Sequence, residues 1–196
     1  MILIGIGANL PSPRHGPPRA TCGAALEALN EADLTITARS RWYKSAPVPV
    51  SDQPWFVNGV AQVKTALDPV RLMALLLRTE EALGRKRNEP NAPRVLDLDL
   101  LAFGDMVLSP EDGGSGALAL EIPHPRLFER AFVLLPLRDV APGWRHPVLD
   151  LSVGEMIADL SGDQQTDPMN DAGGVFGTEW RDKNAPDRPD GEIKAS

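Results

Sequence analysis

Two aspartates, Asp97 and Asp99, stand two residues apart inside the apolar run Arg94-Val-Leu-Asp97-Leu-Asp99-Leu-Leu. Such a run reads as a buried β-strand, and side chains alternate faces along a strand. Both carboxylates therefore emerge on one side, while Leu96, Leu98 and Leu100 pack on the other. Neighbouring carboxylates repel each other, and bridging cations relieve that repulsion. Oxygen ligands so arranged suit Mg²⁺, which binds through one or two carboxylates and completes its shell with water and phosphate. Arg85, Lys86, Arg87 and Arg94 stand just upstream. Taken singly, an Asp-x-Asp pair also suits a solvated strand edge, and clustered cations also suit a helix C-terminus. Together within fifteen residues they point to metal-assisted phosphoryl transfer.

The elements that must position these groups follow from periodicity and punctuation. Residues 2–6 read as a buried strand ended by Gly7 and Asn9. A loop rich in Pro and Gly leads to a helix with Cys22, Ala25, Leu26 and Leu29 on one face. Leu34, Ile36 and Ala38 alternate with polar residues, predicting a half-buried strand that continues towards Trp42 and Tyr43. After the proline-rich loop 46–54, Val57, Gly59, Ala61 and Val63 alternate in a further strand. Asp68 is an N-cap followed by Pro69 at the first helical position, Gly84 is the C-terminal stop, and Leu72, Leu75, Leu76 and Leu83 form the core stripe between them. Residues 95–103 are the carboxylate-bearing strand. The order β-α-β-β-α-β is the split βαβ pattern of an α+β, ferredoxin-like antiparallel sheet. A Gly/Ser loop over 109–117, a short helix near 127–135 and a last helix capped by Ser152-Val-Gly-Glu155 complete the pattern.

Composition bounds the rest. The chain has 196 residues, enough for one well-buried domain, which we expect over residues 1–162. Residues 163–196 lack apolar periodicity and carry −4 of the net −7, so they are expected to form a disordered or loosely attached acidic tail. Mild acidity argues against nonspecific nucleic-acid binding, which runs on basic surface. Cys22 lies on an apolar helix face and reads as a core thiol. A lone cysteine allows no internal disulfide, in keeping with a reducing cytoplasm. No apolar run reaches the ~20 residues needed to span a bilayer.

Arg85-Lys-Arg87 followed by Ala92-Pro-Arg94-Val-Leu-Asp97-Leu-Asp99 closely resembles the signature of the 6-hydroxymethyl-7,8-dihydropterin pyrophosphokinase family of folate biosynthesis. Gly7-Ala-Asn9-Leu, Gln53-Pro-Trp-Phe56-Val-Asn58 and Pro123-His124-Pro-Arg-Leu-Phe-Glu-Arg130-Ala-Phe132 extend the resemblance in order, from about Ile2 to about Leu160. The resemblance implies transfer of pyrophosphate from ATP to the hydroxymethyl group of a reduced pterin, with release of AMP. It implies two Mg²⁺ ions on Asp97 and Asp99, and Arg87 and Arg94 closest to the transferring group. It places ATP against Glu80, Arg85, Arg87, Arg94, His124 and Arg130. Guanidinium suits that task because its planar fork grips phosphate and keeps its charge. The same resemblance implies a pterin sandwiched by Phe56 and Phe132 and read at its edge by Asn58. Ser45, Ala46 and Val48 complete that pocket. Phe56 and Asn58 are two residues apart on one strand and so share a face, as the aspartates do. The small-molecule partners would be ATP and the pterin, and a cytoplasmic monomer is expected.

The sequence also departs from familiar members of the family. The stretch between Arg87 and Arg94 is one residue shorter, Asn91 stands where many carry tryptophan, and Pro125 follows His124 where some place tyrosine. His15 and His146 match no site motif. Two other readings share the fold class. A two-metal nucleotidyltransferase of the polymerase-palm type would need a third carboxylate on a neighbouring strand and a basic groove. A non-catalytic ligand-sensing domain would need neither the aspartates nor four convergent arginines.

Overall fold

Glycine alternation sets the middle of the sheet. Strand β1 (Ile2–Ala8) presents Ile2, Ile4 and Ile6 on one face and Leu3, Gly5 and Gly7 on the other. The computed structural model describes residues 1–85, 92–109 and 120–170, and in it β1 lies between β4 (Phe56–Lys64) and β5 (Asp97–Phe103), antiparallel to both. The register sets Gly7 beside Asn58 and Asp97, and Gly5 beside Val60 and Asp99. Beyond β4 lie β2 (Thr35–Arg39) and β3 (Tyr43–Ser45). The result is the expected α+β sheet, antiparallel throughout.

Helices cover both faces. On the isoleucine face of β1, α1 (Pro18–Glu31) and α2 (Pro69–Ala82) bury Cys22, Leu26, Leu29, Leu72 and Leu76 against Ile4, Ile6, Leu98 and Leu100. Each such leucine contributes about 1.5–3 kcal/mol through removal from water. Asp68 caps α2 by accepting from Arg71 N at 2.8 Å, and Gly84 ends the helix turn with φ +99°. On the opposite face, α3 (Ala131–Val140) and α4 (Val153–Ala158) bury Leu134, Leu137, Val153 and Met156 against Leu3, Val60 and Leu101. The capping box on α4 is as expected: Ser152 Oγ accepts from Glu155 N, and Glu155 Oε2 accepts from Ser152 N.

Three expectations need correction. The strand through 34–43 is split, because Ser40 Oγ takes the Val60 N–H (3.0 Å) and donates to Arg41 O (2.6 Å), substituting a side chain for ladder pairing. The Trp42 ring then seats over Gly59, where a Cβ would come within 2.7 Å of it. Strand β4 is buried on both faces because helices cover both. The helix near 127–135 begins and ends later. Residues 124–127 form a turn (Leu127 N to His124 O, 3.0 Å), and burial of Leu134 and Leu137 carries α3 through Pro136, where the sequence suggests a stop.

The third concerns residues 163–170, expected to belong to a disordered or loosely attached tail. Thr166–Pro168 forms β6, paired antiparallel with β3, and Met169 packs against the first core. Residues 171–196, residues 110–119 with all of the expected Gly/Ser loop but Ser109, and Lys86, Arg87 and Asn91 lie outside the described residues. Among the described residues, no helix is long and apolar enough to cross a membrane.

Candidate active site

The alternation of three strands brings the site together. Gly5 and Gly7 of β1, Phe56, Asn58 and Val60 of β4, and Asp97, Asp99 and Leu101 of β5 all face the same side of the sheet and line one pocket. Its walls are Ser45, Ala46 and Val48, the side chain of Arg94, and Arg130, Phe132 and Val133 at the start of α3. The two aspartates thus share a face, as the strand period requires.

Asp97 sits between two arginines. Its Oδ1 accepts from Arg85 Nη1 at 2.5 Å and its Oδ2 from Arg94 Nη1 at 2.6 Å. Arg85 also pairs with Glu80, a carboxylate of α2 that is only 1% exposed and accepts from Leu98 N at 2.7 Å. Burial pushes Glu80 up to about 7, against the pull of the Leu98 N–H and the Arg85 charge. Asp99 is likewise raised, first by burial and then by the Asp97 charge, with Arg130, Arg85 and Arg94 opposing. A carboxylate at once partly desolvated and repelled by its neighbour is one that a cation would relieve.

Asn9 organises the approach to this cluster. It is 2% exposed and its Oδ1 accepts from Arg94 N at 2.7 Å, while its backbone N–H donates to Arg94 O at 3.0 Å. Its Nδ2 donates to Pro54 O at 3.1 Å, so one side chain ties the arginine loop to the proline-rich loop. Across the pocket, Asn58 Nδ2 donates to Ser45 Oγ at 2.8 Å, which leaves its Oδ1 facing Gly7. A Cβ at position 7 would approach that oxygen to 2.9 Å, so only glycine leaves the amide in place. The Arg130 guanidinium lies 5.5 Å from the centre of the Phe132 ring, a cation–π contact. Burial and the neighbouring Arg126 charge lower Arg130 from its usual range.

Of the residues expected at the site, Ser45, Ala46, Val48, Phe56, Asn58, Arg94, Asp97, Asp99, Arg130 and Phe132 line the pocket together. Arg85 joins them through Asp97. Glu80 lies beneath, facing Leu98 and Arg85 and almost shut off from solvent. His124 stands outside the pocket lining; its Nδ1 accepts from Arg126 N at 3.1 Å, and burial with the Arg130 charge lowers it to about 4, so it is neutral near pH 7. Its Nε2 therefore carries the proton. The sequence reading missed Gly5 and Gly7 as site floor, and Asn9 as the link between loops. The glycine pair inside an isoleucine strand was a usable signal, since glycine in a strand marks close approach.

The family model described as 7,8-dihydro-6-hydroxymethylpterin-pyrophosphokinase matches residues 3–142. The 2-amino-4-hydroxy-6-hydroxymethyldihydropteridine pyrophosphokinase of Pseudomonas aeruginosa is 40% identical over 147 residues, covering 74% of this chain and 83% of that protein. The folic acid synthesis protein fol1 of Pneumocystis carinii is 37% identical over 129 residues, which is 66% of this chain, and the chain spans only 16% of that longer protein. A crystal structure of Plasmodium falciparum HPPK-DHPS superposes with a TM-score of 0.59 at 16% identity, over 80% of this chain and 42% of that one, a likeness of fold. With the match running through β1, both aspartates and the start of α3, the chain belongs to the 7,8-dihydro-6-hydroxymethylpterin-pyrophosphokinase family.

Proposed function

We propose that this chain transfers pyrophosphate from ATP to the hydroxymethyl group of 6-hydroxymethyl-7,8-dihydropterin, releasing AMP, as a step of folate biosynthesis. The observation that carries this reading is one shared pocket in which two carboxylates and the arginines Arg94 and Arg130 meet an amide and two phenylalanines. The first set handles phosphate; the second suits a flat, donor-rich heterocycle. The strands beside the aspartates present Gly7 and Asn58, where a palm-type nucleotidyltransferase would need a third carboxylate.

The donor set fits magnesium. Asp97 and Asp99 offer hard oxygen ligands side by side, and the bare glycines beside them in β1 leave room above the strand. Two Mg²⁺ ions held there would neutralise the triphosphate and draw charge from the β-phosphorus. The protein's own part is to position. Arg85 and Arg94, now paired to Asp97, stand where they can turn to phosphate oxygens, and Arg130 supplies a third guanidinium. Arg87 belongs to the same grip by motif. Asn58 presents its Oδ1 to the pterin edge, Ser45 holds the amide, and Phe132 and Phe56 offer the ring faces. The hydroxymethyl oxygen bonds to the β-phosphorus and loses its proton to water, as the bond from that phosphorus to the α,β-bridging oxygen breaks and AMP leaves. The same reading takes the chain to act as a cytoplasmic monomer, and Cys22, buried in the core with no disulfide partner, is compatible with a reducing compartment. Incubating the chain with Mg²⁺, ATP and the pterin should yield AMP; ADP as the nucleotide product would overturn the reading.

Two variants probe the pterin side. Phe132→Ala should weaken pterin binding by roughly tenfold, through lost stacking and buried area, with a much smaller effect on ATP. Equal losses for both ligands in calorimetric titrations would make Phe132 a packing residue only. Gly7→Ala should act similarly, because the new methyl displaces the Asn58 amide. Pterin affinity should fall on the order of tenfold, as expected when a buried recognition hydrogen bond is misaligned. Unchanged pterin affinity in a folded variant would show that Asn58 does not read the ring.

A further inference from the structure

Residues 164–170 lie beyond residue 142, where the family match ends, yet they hold the site from two sides. Gln164 lays its side-chain amide across the start of α3. Its Oε1 accepts from Ala131 N at 2.9 Å, and its Nε2 donates to Glu129 O at 2.8 Å. These two groups flank Arg130, the N-cap residue of α3, which provides no side-chain cap of its own. Helix N-termini leave N–H groups without intrahelical partners, usually met by an oxygen at the N-cap. Arginine has no acceptor to offer. The oxygen comes instead from Gln164, 33 residues along the chain. One amide gripping the backbone on both sides fixes Arg130 near φ −117°, ψ 111°, from which its guanidinium reaches the Phe132 ring.

The second hold is on β3. Gln165 O accepts from Ala46 N at 3.1 Å, and β6 pairs Thr166 with Ser45 and Asp167 with Lys44. Ser45 in turn accepts from the Asn58 amide. Without β6, β3 would be a bare edge three residues long, free to shift. The far end is anchored: Met169 N donates to Trp42 O at 2.8 Å, and Arg19 Nη1 donates to Asn170 O at 2.7 Å.

We propose that residues 164–170 form a positioning strap for the pterin side of the site, in which Gln164 sets Arg130 and Phe132 while Gln165 and β6 set Ala46 and Ser45. Gln164 does not line the pocket, so it acts through Arg130 and is a positioning residue. The strap should govern pterin more than ATP. Of the three guanidiniums offered to phosphate, Arg85 and Arg94 are held separately, by Glu80 and Asn9, so only Arg130 ties the strap to ATP. The proposal rests on the pyrophosphokinase reading.

Gln164→Met removes both polar groups at similar volume. It should weaken binding of 6-hydroxymethyl-7,8-dihydropterin by roughly tenfold, the expected loss for two neutral hydrogen bonds, while ATP·Mg²⁺ affinity, which shares only Arg130 with the strap, falls by about threefold or less. Titration calorimetry reads both affinities, and a melting curve taken beside them separates positioning from loss of fold. Truncation after Gly162 should cost more pterin affinity than Gln164→Met and lower the melting temperature as well; if the truncated chain does not fold, Gln164→Met carries the test alone. A folded Gln164→Met protein that binds pterin within about twofold of wild type overturns the strap, as does an equal loss for both ligands. Wild-type protein that makes no AMP would instead sink the functional reading, so the two failures are distinguishable.

Discussion

Asp97→Ala and Asp99→Ala should each lower turnover on the order of a thousandfold, a loss typical when transition-state charge stabilisation is removed, while the sheet stays intact. Both side chains stand on the pocket side of β5 beside the glycines of β1, and neither belongs to an apolar core. Their stability effects should differ in sign. Asp99 is half-buried, repelled by Asp97 and raised in consequence, so its removal in metal-free solution should raise the melting temperature. Asp97 neutralises Arg85 and Arg94, and its removal leaves two half-buried guanidiniums facing each other, so the melting temperature should fall. Steady-state rates at saturating Mg²⁺ and melting curves without it decide the matter. Near-wild-type turnover in either variant would refute the metal assignment.

Arg94→Lys should reduce kcat by roughly 10- to 100-fold, the equivalent of one charge-assisted hydrogen bond, even though the charge is kept. The backbone of residue 94 is held by Asn9 through both its N–H and its carbonyl, so the substitution leaves the loop in place and tests the side chain alone. The guanidinium uses Nη1 on Asp97 and Nε on Ala92 O at once, a forked geometry that a lysine ammonium cannot reproduce. If the fork acts on the transferring group in the transition state, kcat falls and nucleotide affinity does not. Unchanged kcat with a raised KM for ATP would reduce Arg94 to a ground-state contact.

Much of this site was legible before folding because a strand has a period of two. Asp97 with Asp99, and Phe56 with Asn58, had to share faces whatever the rest of the chain did. The α+β order followed equally locally, from the Asp68-Pro69 start and Gly84 stop of α2 and from the alternation in β1 and β4. Motif order then assigned chemistry to residues that periodicity alone would have left as core, Phe132 above all. Arg87 and the short loop to Asn91 keep only their motif assignment, since they lie outside the described residues.

What tertiary structure alone decided are contacts between segments remote in sequence. No local pattern says that Asn9 will clasp Arg94, 85 positions away, or that Glu80 will be buried beneath β5 and hold Arg85. Helix α3 runs through Pro136 because burial of Leu134 and Leu137 outweighs the missing hydrogen bond, a balance invisible in a propensity reading. The stretch 164–170 looked loose because it has no apolar period, and its order comes instead from backbone pairing with β3 and one glutamine amide. The sequence by itself determined which residue types meet on each strand face, since backbone geometry makes that a local property. Which segments close over those faces depended on hydrogen bonds and packing between distant parts of the chain, and these exist only once the chain has folded.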